Sequence, residues 1–229
     1  MAVIDGDQIV DTFKSKEVSV DDLEAVLAAY PHVKAAMMIS ARGEQAVLET
    51  FLQSRLKRYL RFDHSVSLPI GNLYETPETL GPDRLAAAVG ANALYPETNV
   101  LIVDFGTAIT IDMVSERNEY LGGNISPGAA TRFRALHEFT QKLPHCALTE
   151  KTKLLGSNSL EAIESGVING IVYEIEGYIE RLKQKYSDLR IIFTGGEGNF
   201  FAKRLKNPIF ATYDLVAYGL NRILEYHAE

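Results

Sequence analysis

The sequence predicts an α/β protein made of two related halves, each a mixed-sheet domain, with a cleft between them. Three observations carry this prediction. Short β-type runs alternate with helical segments along the whole chain, the pattern of a layered α/β protein. The two halves follow one plan: the second reads strand, strand, strand, helix, helix, strand, helix, strand, helix, and the first reads strand, strand, helix, strand, helix, strand, helix. A Pro96-Glu-Thr-Asn99 joint separates them and sets domain bounds of 1–97 and 98–229. The element missing from the first half is its opening strand. Ligands in such folds sit where strand ends and turns meet.

The elements follow in order. Short β-type runs at 1–3 and 8–13 flank Asp5-Gly6-Asp7, a hairpin signal. Ser19 is a candidate N-cap, with Asp21 and Asp22 favouring a first helical turn, and this helix stops before Pro31. Residues 33–39 form a strand candidate. Leu48, Phe51, Leu52, Leu56 and Leu60 recur at helical spacing and predict a helix over 45–60. Its Arg55, Lys57, Arg58 and Arg61 read as a solvated face. Residues 65–70 read as a short strand. A Gly- and Pro-punctuated loop, 71–84, then feeds an Ala-rich helix over 85–95. In the second half, strands are predicted at 100–103, 108–114 and 120–125, then a helix over 128–143. Leu160, Ile163, Val167, Ile171, Ile175, Tyr178 and Leu182 mark a helix of ~28 residues, ~40 Å long. A strand at 190–193, a helix at 200–205, a strand at 209–211 and a helix at 215–226 complete the chain.

Composition narrows the function. The 229 residues are 46% hydrophobic, enough for globular cores. The net charge of −7 argues against a nucleic-acid surface, and an anionic substrate would need local cations or a metal ion. Cys146 is the single cysteine, which excludes an intrachain disulfide and a cysteine zinc site. No signal-peptide pattern and no apolar run of ~18 residues is present, which predicts a cytoplasmic protein with no membrane partner. The five histidines, at 32, 64, 137, 145 and 227, lack metal-ligand spacing and read as surface or loop residues.

The most informative stretch joins the first two strands of the second half, Asp104-Phe-Gly-Thr-Ala-Ile-Thr-Ile-Asp112. Its turn offers backbone N–H groups and a hydroxyl to a phosphate, and a carboxylate to a cation. Hairpins also carry Asp and Gly for turn geometry alone. Asp112 reads equally as a turn or edge residue facing solvent and is left outside the site.

Four separated motifs line up: Tyr74-x-x-Pro77-x-x-x-Gly81-Pro-Asp-Arg84, Asp104-Phe-Gly-Thr-Ala-Ile-Thr-Ile-Asp112, Gly122-Gly-Asn-Ile-Ser-Pro-Gly128 and Thr194-Gly-Gly196. Together with Leu143-Pro144 and Gly156-Ser-Asn-Ser159 they resemble type III pantothenate kinases across roughly residues 70 to 220. The resemblance implies an actin-like ATPase duplication, in which both domains are ribonuclease-H-like. It implies phosphorylation of pantothenate by ATP with Mg²⁺ and a monovalent cation (K⁺ or NH₄⁺), the first step toward coenzyme A. It also implies a homodimer with the substrate near the subunit interface.

Carried over by residue, the resemblance makes Asp83 the proton acceptor, a role that suits phosphoryl transfer to a hydroxyl. It places Tyr74, Gly81, Pro82, Asp83 and Arg84 against pantothenate, where Arg84 can meet a carboxylate with two hydrogen bonds. Asp104 is similar to the monovalent-cation ligand, and Gly106 and Thr107 to ATP-phosphate contacts. Ser159 stands where relatives commonly place a substrate-binding threonine. Gly195 and Gly196 resemble the nucleotide-side turn, where a missing Cβ permits close approach. Read without the resemblance, Asp83 stabilises the N-terminus of the following helix, with Arg84 as its surface partner.

The family pattern begins with an apolar strand ending in Asp-x-Gly-Asn-Thr, and no such motif occurs in the 229 residues. An incomplete chain, a natural short form, and another element filling the gap are the three readings. The expectation is weak or no kinase turnover by this polypeptide as it stands. The competing functions are a non-catalytic accessory or regulatory binding protein of the same lineage, and a kinase acting on another small hydroxy acid.

Overall fold

The computed structural model describes residues 1–15, 17–39, 45–205, 210–211 and 214–228. In chain order the elements are β1 (Ala2–Asp5), β2 (Gln8–Thr12), α1 (Val20–Ala29), β3 (Ala35–Met38), α2 (Ala46–Arg55), β4 (Arg58–Arg61), β5 (Gly71–Asn72), a 3-10 turn (Pro77–Thr79), α3 (Pro82–Leu94), β6 (Val100–Phe105), β7 (Ala108–Val114), β8 (Glu119–Pro127), α4 (Ala129–Glu138), α5 (Ser159–Lys185), β9 (Arg190–Thr194), α6 (Gly198–Ala202), β10 (Phe210–Ala211) and α7 (Leu215–Tyr226). The architecture is mixed α/β, as expected. The chain forms two compact units, one of Met1–Leu94 with Leu215–Glu229 and the other of Tyr95–Asp214.

In the first unit, β1 and β2 pair antiparallel across a turn in which Gly6 has φ 55°, a left-handed geometry that glycine adopts freely. Ser19 caps α1 as expected: its hydroxyl accepts from the Asp22 N–H, and the Asp22 carboxylate accepts from the Ser19 N–H at 2.8 Å. This reciprocal box satisfies two otherwise orphaned donors. β3 and β4 pair in parallel, Ala35 with Arg58 through Met38 with Arg61. The sequence had extended the second helix to residue 60. It instead ends at Arg55, and Leu56 is already extended. Local apolar spacing mimicked a helix, but 58–61 finds its partner in a distant strand. The strand expected at 65–70 is also absent: Asp63 accepts from the Ser65 N–H and hydroxyl, curling that segment into a turn.

The closing helix is the main departure from the expected bounds of 1–97 and 98–229, because α7 packs with the first unit. Gly90 on α3 and Gly219 on α7 explain why. A Cβ at Gly90 would lie 2.5 Å from the Leu215 carbonyl oxygen, and one at Gly219 would collide with the Ala86 carbonyl. The backbones meet at a distance only glycine permits. The Ala-rich face of α3, buried from Arg84 to Ala91, complements this crossing.

The second unit carries the mixed sheet, in the order β10-β9-β6-β7-β8. β6 is antiparallel to β7 and parallel to β9. Val100, Leu101, Ile102, Val103 and Phe105 are fully buried, so both faces of β6 are covered, consistent with its continuous apolar run. Leu101, Val103 and Phe105 pack with Ile168, Ile171, Ile175 and Ile179 of α5. The α5 stripe matches the predicted spacing from Ile163 onward, whereas Leu160 is exposed. α4 stops at Glu138, short of the predicted 143. The last strand matches at 210–211, and Ile209 lies outside the described residues. No helix among the described residues is long and apolar enough to cross a membrane.

Candidate active site

Parallel pairing of β6 with β9 puts their C-terminal ends on the same side of the sheet. Asp104 and Phe105 end β6, and Gly106-Thr107 turns the chain into β7 with Phe105 opposite Ile109. Thr194-Gly195 leaves β9 alongside, with Asp104 opposite Thr194. Gly195 has φ 84°, and a Cβ there would lie 2.6 Å from the Phe105 carbonyl oxygen and overlap the Asp104 carboxylate. The Glu197 N–H donates to the Phe105 carbonyl at 3.2 Å, fixing this turn against the hairpin.

A second clasp comes from β8 and α4. The Gly128 N–H donates to the Thr107 carbonyl at 3.0 Å, and the Thr131 hydroxyl donates to the same oxygen at 2.7 Å. A Cβ at Gly128 would overlap the Gly106 carbonyl. Arg132 extends the clasp through Nε to the Pro127 carbonyl at 2.7 Å, with an ion pair to Glu174 on α5. Asp104, Gly106, Thr107 and Gly195 are therefore brought together around one rigid turn. Gly196 follows, exposed, with open space where a Cβ would be. The sequence had not singled out Thr131, whose hydroxyl contact depends on the helix starting at Ala129. Gly128 lay in a motif but had no role.

Glu197 shares this turn. Its Oε2 is buried without a hydrogen-bond partner, and burial pushes its carboxyl above the usual range. Asp112, by contrast, does not face solvent: it is 1% exposed and accepts the Tyr120 hydroxyl at 2.6 Å.

Ser159 stands apart at the first position of α5, exposed. Asn158 caps that helix by accepting from the Glu161 N–H at 3.0 Å. Glu161 in turn accepts from Lys153 Nζ at 2.7 Å and from the Ser157 hydroxyl and N–H. Lys153 first, and then Ser157, hold its carboxyl down at about 2.

In the first unit, the structure gathers Tyr74, Gly81, Pro82, Asp83 and Arg84. The predicted loop through Arg84 is already helical from Pro82, since proline suits a first helical position. Asp83 lies in the first turn, and its Oδ1 accepts from the Arg84 N–H at 2.9 Å. A Cβ at Gly81 would stand 2.5 Å from that oxygen, so glycine leaves room for the carboxylate to fold back over the helix start. Arg84 is 6% exposed, with its guanidinium 5.9 Å from the Tyr74 ring centroid. Such burial rules out the reading of Arg84 as a surface partner of Asp83. The Tyr74 N–H is held by Asn72 Oδ1 at 3.1 Å.

Among the described residues, no group of three or more His, Cys, Asp or Glu side chains could hold a metal ion. A Mg²⁺ ion that keeps nucleotide phosphates and several waters as ligands needs no such cluster.

The chain is a mixed α/β protein whose glycine turns collect at the carboxyl ends of two parallel strands. A crystal structure of a conserved Campylobacter jejuni protein of the Baf family, described as a transcriptional activator, shares this fold, with a TM-score of 0.62 and 21% identity, covering 90% of this chain and 88% of that one. The family model of type III pantothenate kinases matches residues 1–181. Proteins named type III pantothenate kinase from Phocaeicola vulgatus and Bacteroides fragilis YCH46 are 39% and 42% identical over 227 residues, each covering 99% of this chain and 93% of the relative. One from Cytophaga hutchinsonii is 43% identical over 208 residues, 90% of this chain and 86% of that protein. The chain belongs to the type III pantothenate kinase family.

Proposed function

We propose that this protein transfers the γ-phosphoryl group of ATP to the hydroxyl of pantothenate, giving 4′-phosphopantothenate and ADP in the first step of coenzyme A biosynthesis. The observation that carries the reading is the Asp104–Thr107 turn, clasped by Gly195 and Gly128, in a chain about 40% identical to proteins of that name. In the proposed reaction the substrate oxygen bonds to the γ-phosphorus, the bridging P–O bond to ADP breaks, and the hydroxyl proton passes to Asp83. Asp83 suits this role because its Oδ1 is oriented by the Arg84 N–H while its carboxylate stays at a helix start. Arg84, Tyr74, Gly81, Pro82 and Ser159 are assigned to pantothenate.

Gly106, Thr107, Gly195 and Gly196 are assigned to ATP, since residues with little or no side chain let phosphate approach the backbone. Asp104 is assigned to a monovalent cation, K⁺ or NH₄⁺, beside the Mg²⁺–nucleotide, where it would offset phosphate charge. Two ribonuclease-H-like domains, a homodimer and a cytoplasmic setting complete the proposal. In the second unit the sheet order supports the ribonuclease-H-like plan.

The test is Asp83→Asn in a chain that also carries an N-terminal strand ending in Asp-x-Gly-Asn-Thr. Turnover with ATP, Mg²⁺, K⁺ and pantothenate should fall ~10²–10⁴-fold, with circular dichroism and nucleotide affinity retained. Unchanged turnover rejects Asp83 as the proton acceptor. The same assay on the 229-residue chain, with and without an N-terminal strand ending in Asp-x-Gly-Asn-Thr, measures how far turnover depends on a second phosphate turn.

A further inference from the structure

Arg132 ties three elements of the second unit together. It lies on α4, next to Thr131, and its Nε donates to the Pro127 carbonyl at 2.7 Å. Its Nη2 donates to the Ser126 hydroxyl at 3.2 Å and pairs with the Glu174 carboxylate on α5. One planar guanidinium thus joins the end of β8 to α5 from a helix that belongs to neither. The two charged side chains are 22% and 23% exposed. A pair that meets water to this extent adds little stability by itself. What it does is fix the plane in which Nε meets the Pro127 carbonyl, because a guanidinium presents its donors in a rigid fork.

These bonds bear on the Asp104–Thr107 turn through the next residue. Gly128 follows Pro127, and its N–H donates to the Thr107 carbonyl at 3.0 Å. The second donor to that oxygen, at 2.7 Å, is the hydroxyl of Thr131, the neighbour of Arg132. Both donors therefore adjoin Arg132 or its partner Pro127 in the chain. Inside the turn, the Gly106 N–H donates to the Ala108 carbonyl at 3.2 Å. Holding the Thr107 carbonyl consequently orients the peptide at the centre of the turn.

We propose that Arg132 is a positioning residue for nucleotide binding. Through Pro127 and Gly128 it holds the Gly106-Thr107 turn in the conformation that receives the ATP phosphates. This inference rests on the assignment of that turn to ATP. Arg132 acts through the backbone and not on the phosphates, since its Nε and Nη2 are engaged by Pro127, Ser126 and Glu174. Lysine could keep a charge opposite Glu174, but it lacks the second planar donor that reaches Pro127.

The test compares Arg132→Met, Arg132→Lys and Glu174→Gln with Arg134→Met. Arg134 lies on the same helix and pairs at 3.8 Å with the exposed Glu138, so its loss is the control. Kinetics use the strand-bearing chain described for Asp83→Asn, and NMR amide exchange uses the 229-residue chain. Arg132→Met and Arg132→Lys should each raise KM for ATP ~10-fold or more, as the loss of a charge-assisted hydrogen bond implies. KM for pantothenate should stay unchanged, and exchange of the Gly128 amide should quicken. Glu174→Gln keeps an acceptor for Nη2 and should show the same pattern at ~2–3-fold; it keeps the test decisive should Arg132→Met not fold. Arg134→Met should move none of these readouts. Three results overturn the proposal: an unchanged KM for ATP, an equal rise in both KM values, or full rescue by lysine. Failure of the kinase reading looks different. The unsubstituted chain then turns over no pantothenate, and the dissociation constants of ATP for the same variants decide the role of Arg132.

Discussion

The two units use similar strand pairings and reach very different degrees of burial. In the second, five residues of β6 are fully buried and β9 is buried from Ile191 to Thr194. In the first, Val3 is the only residue of β1 through β4 that is buried, and α1 buries none of its residues. The first unit is held mainly by helix on helix, α3 against α7, where Gly90 and Gly219 let the backbones touch. The lesson is that antiparallel and parallel pairs alone do not make a core. A strand joining them turns two ribbons into a surface large enough to pack a helix such as α5, in line with the weakness of isolated two-stranded pairs.

Substitutions can break or sharpen that contrast. The largest stability effect belongs to Phe193→Ala, which removes a fully buried ring packed 4.8 Å, centroid to centroid, from Phe105. It should cost about 3–5 kcal/mol in a urea titration of the second unit's near-ultraviolet signal. Gly219→Ala should cost about 1–3 kcal/mol by forcing α3 and α7 apart. Gly166→Ala, in α5 with nothing within 4 Å of a new Cβ, should stabilise by ~0.4–1 kcal/mol. Equal effects of these two glycine variants would mean that the α3–α7 approach is not what holds the first unit. Met37→Ala on half-buried β3 should cost only ~1 kcal/mol, and a loss matching Phe193→Ala would erase the contrast between the sheets.

The smallest effect is a pH response at the start of α5. Glu161 is held at about 2, below the 4.5 of a free carboxyl, by Lys153 and Ser157. A lowered carboxyl favours the folded contact above pH 4.5, and that advantage is lost as pH falls through about 2. NMR titration should show the Ser157 amide shift moving only below about pH 3, and Lys153→Met should raise its midpoint.

Much of this was legible in the sequence. The α5 stripe, the Ser19 cap and the three strands from 100 to 127 follow from local periodicity and local hydrogen bonding, and the structure contains them. Segment 56–60 was misread because Leu56 and Leu60 continue the helical spacing of Leu48 and Leu52, whereas Arg58–Arg61 is held by pairing with Ala35–Met38, which no local pattern reports. At 65–70, alternating Val66, Leu68 and Ile70 imitated a strand, yet they line a cavity of about 180 Å³ beside Leu85. At the site, Asp104-Phe-Gly-Thr107 and Gly195 were visible as motifs because glycine and aspartate are chemically distinctive. The Thr131 hydroxyl and the buried Glu197 oxygen were not, since both depend on how an ordinary helix or turn is set against the hairpin.

The α3–α7 crossing also dictates an order of events during synthesis. The first unit contains residues from both ends of the chain, and roughly 120 residues, Tyr95 to Asp214, are made between them. At ~5–20 residues per second that interval is on the order of ten seconds. Throughout it, the Ala-rich flank of α3 near Gly90 has been made while Gly219 has not yet been translated. The core of the second unit needs no residue made after Asp214, whereas the segment bearing Asp83 reaches its final packing only once α7 is available.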